Sequence, residues 1–294
     1  MKILAPAKIN IYLEVVGKRP DCYHELRTIM VPLAFGDDIF IEPASSGISL
    51  EADGCGCSDQ DNLAYRAARL FFARTGIGRG IIIRMIKRIP VGAGLGGGSS
   101  DASSVLIGMN ALFDTGLEAQ ELAALAGELG ADCPFFIYRR PMLMGSRGDA
   151  PISEVKLKER GYLIVVPPIN VSTALIFSKF TLPLTLEEDR IKIEKIKYNC
   201  IMPENWVRND LESVACNIYP ELTRIKGELI SSGALKAGMS GSGSAVFGVY
   251  ESEAHLCSAL SRLARHEGYS YIPTTRMTGD MYGDNRGQGL SGQG

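Results

Sequence analysis

The sequence predicts an α+β protein with two domains. Strand-like patterns dominate the first half of the chain, with helices inserted between them, and helical patterns dominate residues 204–266. The length of 294 residues suits two domains of roughly 100–200 residues each. Because the pattern weakens between residues 139 and 160, we expect domains over residues 1–150 and 151–278. Residues 279–294 are rich in glycine and poor in apolar residues, which predicts a disordered tail.

The N-terminal segment has the alternation of a β-strand. Apolar Ile9, Ile11 and Leu13 alternate with polar residues that include Lys8 and Asn10. This period of two is typical of a half-buried strand, with the polar side chains on one face. Further short strands are expected at residues 26–33, 38–42 and 48–51.

Helices and strands are interleaved in the next part of the chain. Apolar spacing predicts a helix over residues 62–74, and the β-branched run 81–86 predicts a strand. A glycine-rich stretch follows and leads into an amphipathic helix. A second helix is expected over about residues 118–129, with Gly130 as its C-terminal cap. The apolar run 135–138 then predicts a short strand.

The second half of the chain contains fewer strands. Residues 162–166 form an apolar strand by composition. A second glycine- and serine-rich loop, residues 238–244, lies between two short apolar segments. These segments predict a strand on each side of that loop.

Charge, hydropathy and cysteine usage exclude several classes of protein. The 31 Lys and Arg against 33 Asp and Glu argue against a broad basic surface for nucleic acid. The sequence lacks the ~18 consecutive apolar residues of a membrane helix and the apolar run of a secretory signal. Seven scattered cysteines indicate reduced thiols, and Cys55 and Cys57 have no partner pair for zinc. We therefore expect a cytoplasmic protein without nucleic-acid or membrane partners.

The glycine-rich stretch is typical of a phosphate-binding loop. Five of the seven residues from 92 to 98 are glycine, between a predicted strand and a predicted helix. Glycine allows positive φ angles and a close approach of the backbone to a ligand. The free N–H groups and the dipole of the following helix then favour an anion.

Other glycine-loop families fit less well. The Walker pattern is absent because no lysine follows these glycines. Residues 92–97 satisfy G-x-G-x-x-G, but a dinucleotide-binding fold needs a second strand ending in an acid about 20 residues on. Residues 118–129 are helical instead, which weakens the oxidoreductase alternative. Protein kinases need later H-R-D and D-F-G triplets, and neither occurs.

Three motifs resemble those of the GHMP small-molecule kinases. Residues 90–100 look like the phosphate loop of that superfamily, residues 5–10 like its first motif, and residues 238–243 like its third. The resemblance implies an α+β, two-domain GHMP kinase fold with the active site in the interdomain cleft. It also implies ATP as co-substrate, Mg²⁺, and a monomer or homodimer.

The resemblance narrows to one branch of the superfamily. Residues 20–26, 129–136 and 209–212 are similar to segments of the members that phosphorylate 4-diphosphocytidyl-2-C-methyl-D-erythritol on its 2-hydroxyl. That reaction belongs to the non-mevalonate route to isoprenoid precursors. The alternatives are another GHMP kinase, of homoserine or mevalonate type, and a catalytically silent nucleotide-binding protein of the same fold.

Two positions depart from the pattern of this branch. Cys22 stands where the family usually has glycine. Residues 144–149 match only partly, because the family usually begins this segment with alanine and ends it G-x-G-E or G-x-G-D. Neither departure affects the expected chemistry.

The resemblance also assigns roles to individual residues. Asp132 accepts the proton of the attacking hydroxyl, and Lys8 pairs with it and keeps the carboxylate ionised. An aspartate at this point of a turn is also common simply as a helix N-cap. The expected ATP-binding residues are Pro90, Val91, Gly92, Ala93, Gly94, Leu95, Gly96, Gly97, Gly98, Ser99 and Ser100.

A further set of residues is expected to bind the substrate. His24 donates or accepts a hydrogen bond at the cytosine, Tyr23 packs on the base, and Phe177 supplies the opposite stacking face. No magnesium ligand is assigned. The complete set of substrate-binding residues is Asn10, Tyr23, His24, Phe177, Ser240, Gly241 and Ser242.

Overall fold

A computed structural model describes residues 1–21, 23–52, 60–181 and 207–278. Four features singled out in the sequence therefore lie outside the described residues: Cys22, Cys55, Cys57 and the 279–294 tail. Helices and two separate β-sheets make up the described part, which confirms the predicted α+β class. None of the described helices has both the length and the apolar character that a membrane-spanning segment requires.

The first sheet has seven strands. In spatial order β3-β4-β2-β1-β8 are neighbours, and β5 pairs with both β2 and β6. The strands are β1 (Lys2–Lys18), β2 (His24–Ala44), β3 (Ile48–Ala52), β4 (Gly80–Ile86), β5 (Met142–Gly145), β6 (Ala150–Glu154) and, after β7 of the other sheet, β8 (Arg208–Asn209).

Strand β2 joins two segments that the sequence analysis predicts as separate strands. Its backbone passes so close to β1 that a Cβ on Gly36 would lie 2.1 Å from the carbonyl oxygen of Ala5. Glycine at this position removes that collision, and β2 continues without a turn. The predicted break between residues 33 and 38 is therefore wrong.

In the described part of the chain, three helices contact this sheet and a fourth packs mainly on those three. The predicted helix over 62–74 is confirmed, with the Asn62 side chain capping its start and Gly76 at φ 70° ending it. The helix after the glycine loop is buried on every side rather than on one face. The helices are α1 (Leu63–Thr75), α2 (Gly97–Leu112), α3 (Ala119–Gly127) and α4 (Cys133–Tyr138).

The structure corrects two predictions around α3 and α4. Helix α3 ends before Gly130, which is not its cap. The predicted strand over residues 135–138 is wrong, because these residues form α4. Pro134 lies in the first turn of that helix, where its fixed φ suits the backbone, and Phe135 and Phe136 pack against methionines of the first sheet. A four-residue apolar run has no period that separates strand from helix.

The second sheet is antiparallel, with spatial order β11-β7-β10-β9. Its strands are β7 (Gly161–Val166), β9 (Lys236–Met239), β10 (Val246–Tyr250) and β11 (Ser270–Thr275). The predicted strands on both sides of the second glycine loop are confirmed as β9 and β10. The remaining helices of the described residues are α5 (Thr173–Lys179), α6 (Glu212–Ile218), α7 (Pro220–Ser231) and α8 (Glu253–Arg262).

Three large hydrophobic clusters hold these layers together. One lies between the first sheet and helices α1–α3, and another between the second sheet and helices α6–α8. The third joins the two sheets, through side chains such as Ile9 and Ile29 on one and Ile164 and Phe247 on the other. This contact brings β1 and the loop before α2 against the second glycine-serine loop.

Candidate functional site

The loop between β4 and α2 has the backbone geometry that its glycines allow. Gly92, Gly94 and Gly96 adopt φ angles of 71°, 76° and 73°. A Cβ on Gly94 would lie 2.5 Å from the carbonyl oxygen of Ser240, and one on Gly96 would lie 2.8 Å from the Phe136 ring. Both positions therefore need glycine for conformation and for space.

Three successive carbonyl groups of the loop accept hydrogen bonds from β1 and from the second glycine-serine loop and the residue after it. Ala93 O accepts from Ala245 N at 3.0 Å, and Leu95 O accepts from Lys8 N at 3.0 Å. Between them, Gly94 O accepts from Ser240 Oγ at 3.0 Å. In a trans peptide the carbonyl and the next N–H point in opposite directions. The N–H groups of residues 94–96 therefore point away from β1 and the second loop.

A cavity of about 390 Å³ opens beside the loop. Its lining includes residues 90–99, together with Asn62 and Lys87 from the flanking elements. Ser99 lines the cavity, whereas Ser100 is fully buried and does not. The volume is in the usual range for a small-molecule site.

Lys8 and Asp132 lie next to each other at the edge of this loop. Lys8 Nζ is 3.5 Å from Asp132 Oδ2, and the two side chains are 4% and 33% exposed. A Cβ on Gly96 would lie 3.1 Å from Lys8 Cγ, which places the pair beside the start of α2. Within the described residues Asp132 makes no side-chain capping hydrogen bond to α4, although it holds the N-cap position. Its carboxylate is thus available to a ligand.

Asn10 links the lysine to both sheets. Its Oδ1 accepts from Lys8 Nζ at 2.5 Å, and its Nδ2 donates to Thr28 Oγ1 at 2.8 Å. Its backbone N–H donates to Ser240 Oγ at 3.3 Å. Strand β1 has bulges on both sides of this region, and its polar row is buried along with its apolar row. Lys8 and Asn10 are buried because the second loop covers them.

The second loop closes over Lys8 and Asn10. A Cβ on Gly241 would lie 3.5 Å from Asn10 Oδ1 and 3.7 Å from Lys8 Nζ. Ser242 Oγ shares a 2.7 Å hydrogen bond with Thr173 Oγ1 at the start of α5. The structure therefore brings Ser240, Gly241 and Ser242 to the same site as the catalytic candidates.

Asn209 is a positioning residue to which the sequence analysis assigned no role. Its Nδ2 donates to Met239 O at 2.8 Å and to Gly241 O at 2.7 Å, so one side chain holds both ends of the turn. Its Oδ1 accepts from Leu211 N at 3.0 Å just before α6. The only sequence signal was that residues 209–212 resemble the family, and that signal gives no role.

Tyr23 and His24, which are expected at the cytosine, lie at the tip of the β1–β2 hairpin, and Phe177 lies on α5. The His24 ring stacks on Phe177, with centroids 5.0 Å apart and planes 29° apart, and meets Phe180 edge-on. Tyr23 is 58% exposed. Burial, with Lys18 nearby, lowers the pKa of His24 and so favours the neutral ring at neutral pH. Phe177 thus packs on His24, and a base between Tyr23 and Phe177 stays a prediction.

A buried charge cluster joins the two ends of the glycine loop. Lys87 Nζ, just after β4, donates to Asp37 Oδ2 and to Asp101 Oδ2 on α2. Asp37 Oδ1 also accepts from Ile89 N at 2.8 Å. Burial raises the pKa of Asp101 to about 7, against the attraction of Lys87. The cluster fixes β4 and α2 relative to each other, on both sides of the loop.

The free energy of unfolding should reflect the raised pKa of Asp101. A carboxyl whose pKa is raised by folding stabilises the fold below its unfolded pKa of ~4, and this contribution is lost as pH rises through about 7. Asp101→Asn does not titrate. Between pH 5 and pH 8 the wild type should therefore lose ~1–3 kcal/mol relative to this variant, measured by urea unfolding.

The control is Asp114→Asn, because Asp114 is exposed and has φ 50°, a conformation that asparagine also tolerates. Urea unfolding of this variant over the same pH range gives the effect of an exposed aspartate-to-asparagine change. A constant difference between the wild type and Asp101→Asn over this pH range would contradict the account of the cluster.

Comparison with known proteins agrees with the geometry. Residues 62–140 match the GHMP kinases N terminal domain, and residues 199–269 match the GHMP kinases C terminal family. The chain is 40% identical over 271 residues to the 4-diphosphocytidyl-2-C-methyl-D-erythritol kinase of Citrifermentans bemidjiense, covering 92% of this chain and 96% of the relative. It is 42% identical over 271 residues to the enzyme of that name from Syntrophotalea carbinolica, covering 90% and 95%.

Solved structures give the same result. The crystal structure of a 4-(cytidine 5'-diphospho)-2C-methyl-D-erythritol kinase matches with a TM-score of 0.77 and 35% identity, over 95% of this chain and 100% of that one. A homoserine kinase from Cytophaga hutchinsonii has a TM-score of 0.73 over 94% of each chain, but at 16% identity it shows a common fold only. The homoserine alternative is therefore not favoured, and ATP is the co-substrate that a kinase requires. The chain is a small-molecule kinase and belongs to the 4-diphosphocytidyl-2-C-methyl-D-erythritol kinase family of the GHMP kinases.

Proposed function

We propose that this protein transfers the γ-phosphoryl group of ATP to the 2-hydroxyl of 4-diphosphocytidyl-2-C-methyl-D-erythritol, in the non-mevalonate route to isoprenoid precursors. The observation that carries the proposal is the Lys8–Asp132 pair, 3.5 Å apart beside a glycine loop that opens α2. A nucleotide-binding protein without activity has no need of a carboxylate held in this way. We infer the acceptor alcohol from the relatives, which are named 4-diphosphocytidyl-2-C-methyl-D-erythritol kinases.

Asp132 acts as the general base in this proposal. In phosphoryl transfer the protein must position the two substrates, stabilise the negative charge of the phosphates and orient the attacking hydroxyl. The Asp132 carboxylate is one-third exposed, so the hydroxyl can reach it and give up its proton. Lys8 is almost fully buried and donates to Asn10 Oδ1, which fixes the ammonium beside the carboxylate. Asn10 thus positions Lys8.

The glycine loop holds the phosphates of ATP. The N–H groups of residues 94–96 point away from β1, and the first turn of α2 adds further N–H donors and the positive end of its dipole. These donors are fixed before ATP arrives, because the loop carbonyls are already bound. They therefore stabilise negative charge with little reorganisation.

Magnesium fits the oxygen donors that border the loop. The described residues hold no group of three or more His, Cys, Asp or Glu side chains that could bind a metal alone. Mg²⁺ in kinases takes most of its ligands from phosphates and water, with one or two from the protein. Ser99 Oγ lies 3.9 Å from the Cβ position of Gly130, near the turn of Asp132. Ser99 would hold the ion from the start of α2, and the bound ion would neutralise phosphate charge.

The hairpin tip supplies specificity for the cytidine end. A neutral imidazole offers one donor and one acceptor, which suits the edge of a base. Stacking on Phe177 and an edge-on contact with Phe180 fix the orientation of the His24 ring. Tyr23 is exposed and offers its face to the base, while Ser240, Gly241 and Ser242 lie at the acceptor end with Asn10.

Replacing His24 by alanine should raise KM for the cytidine substrate far more than KM for ATP. Loss of hydrogen bonds to a base edge leaves polar groups unpaired, and such sites discriminate by factors of up to ~10⁴. We expect KM for the cytidine substrate to rise at least ~10²-fold and KM for ATP to change less than ~2-fold, measured by steady-state kinetics. His255→Ala is the matched control, because His255 is exposed on α8. Equal effects of His24→Ala on both KM values would place His24 in the scaffold.

ADP release tests the proposed reaction directly. The protein is incubated with ATP and Mg²⁺ and with one of three alcohols: diphosphocytidyl-methylerythritol, homoserine or mevalonate. ADP should form rapidly with the first alcohol and at the background rate with the other two. Comparable release with homoserine or mevalonate would support the other branches of the superfamily, and no release with any alcohol would support the silent nucleotide-binding alternative.

Four broader features belong to the same proposal. We place the boundary between the domains near residue 150, with residues 1–150 carrying the ATP loop and 151–278 the second glycine loop. The protein acts in the cytoplasm as a monomer or homodimer. Its partner is a small molecule with a cytidine diphosphate group.

A further inference from the structure

An arginine lies over one face of the Tyr23 ring. The Arg147 guanidinium carbon lies 5.1 Å from the centroid of the Tyr23 ring, which is the geometry of a cation–π contact. The tyrosine remains 58% exposed. One face of the ring is therefore backed by the arginine, and the rest is open to a ligand.

The arginine is itself held by Asp149. Arg147 Nη2 and Nε donate to Asp149 Oδ2 at 2.8 and 3.1 Å, and the Arg147 backbone N–H donates to Oδ1 at 3.2 Å. Arginine fixed by two side-chain hydrogen bonds has a defined plane, which a flexible lysine lacks. Asp149 therefore orients the guanidinium toward the ring.

The turn that carries Arg147 is locked to the hairpin that carries Tyr23. Ser146 N donates to Glu25 Oε1 at 3.1 Å, and Leu26 N donates to Ser146 O at 2.6 Å. Arg19 Nη1 bridges Glu25 Oε2 at 2.8 Å and Ser146 Oγ at 3.1 Å. Ser146 stands at the first glycine of the family's G-x-G-D ending. Its φ of 59° shows that the backbone here has the left-handed conformation that glycine favours.

We infer that Arg147 is a positioning residue for recognition of the cytidine diphosphate substrate, because it holds the Tyr23 ring ready to stack on the base. The inference rests on the proposed function. An exposed tyrosine side chain without a neighbour loses rotamer freedom when it stacks on a ligand. The Arg147 guanidinium already lies over one face of the Tyr23 ring, so part of this entropy is lost before the ligand binds.

Kinetics of five variants test this role. Arg147→Ala should raise KM for the cytidine substrate ~3- to 10-fold, with kcat and KM for ATP unchanged. Arg147→Lys should restore part of the loss, because it keeps the cation but not the paired geometry. In a Tyr23→Ala background, Arg147→Ala should have no further effect, since the ring that it positions is gone. Arg140→Ala is the control, because Arg140 is an exposed arginine paired with Glu154 at 3.4 Å.

The outcomes separate this role from a structural one. An equal rise in both KM values, or an unreduced effect of Arg147→Ala in the Tyr23→Ala background, would overturn the inference while leaving the proposed function intact. A lowered melting temperature of Arg147→Ala together with lowered kcat would overturn it as well. Failure of the wild-type protein to phosphorylate the cytidine compound would overturn the proposed function itself, and this inference with it.

Discussion

Asp132→Asn should lower kcat by ~10²–10⁴-fold, with the affinities for ATP and for the alcohol changed little. Asparagine has the size of aspartate and keeps most of its hydrogen bonding, but it cannot accept the proton of the attacking hydroxyl. Lys8 itself is unchanged in this variant and is buried beside the site in the wild type. Single-turnover kinetics with saturating substrates measure the chemical step directly. Near-normal turnover by Asp132→Asn would remove the base from the mechanism and leave positioning as the whole of catalysis.

Lys8→Ala should lower kcat to a comparable extent. Its ammonium lies 3.5 Å from Asp132 and donates to Asn10, so both partners lose their fixed positions without it. The loss in the double variant should be much smaller than the product of the two single losses, because residues that act as a unit are non-additive. Lys2→Ala is the control on the same strand, because Lys2 is exposed and pairs with Asp38. Multiplicative losses in the double variant would show that Lys8 and Asp132 act separately.

Gly98→Asp should weaken ATP binding by at least ~10²-fold. Gly98 lies in the first turn of α2, and its Cβ position meets only Leu63 Cδ1, at 3.7 Å, so the new side chain fits the protein. A carboxylate there opposes the phosphates at close range and counters the helix dipole. Calorimetric titration with ATP measures the effect, and the affinity for the cytidine substrate should be unchanged.

The control for this variant is Gly227→Asp. Gly227 lies in helix α7, is exposed, and has nothing within 4 Å of its Cβ position. Gly97→Val is a less specific test than Gly98→Asp, because a Cβ on Gly97 lies 3.1 Å from Ile89 and would disturb packing as well. Unchanged ATP affinity in a folded Gly98→Asp protein would contradict phosphate binding by this loop.

Local sequence patterns predicted most of the elements of this fold. The Asn62 cap and Gly76 bound α1 as expected, and the glycines before α2 adopt the positive φ angles that only glycine favours. Such features depend on neighbouring residues alone. The strand over residues 135–138 was wrong because a tertiary cluster, not a local period, decides the conformation of Phe135 and Phe136.

The site depends on contacts that no local pattern contains. Asn10 meets Ser240 across 230 positions, and this contact buries the polar face of β1 that alternation alone predicts to be exposed. Lys8 and Asp132 were paired only through the resemblance to a family. Asn209 holds the second loop in place through two hydrogen bonds. The sequence does not predict this role, because an asparagine before a helix is also common without such contacts.

The position of the transferred phosphate tests the central claim most directly. The protein is mixed with ATP, Mg²⁺ and diphosphocytidyl-methylerythritol, and the products are followed by ³¹P nuclear magnetic resonance with carbon-coupled assignment of the ester. The account predicts one new phosphomonoester, on the 2-hydroxyl of the methylerythritol, formed in equal amount to ADP. An ester at another hydroxyl, or ADP and free phosphate without any ester, would contradict it.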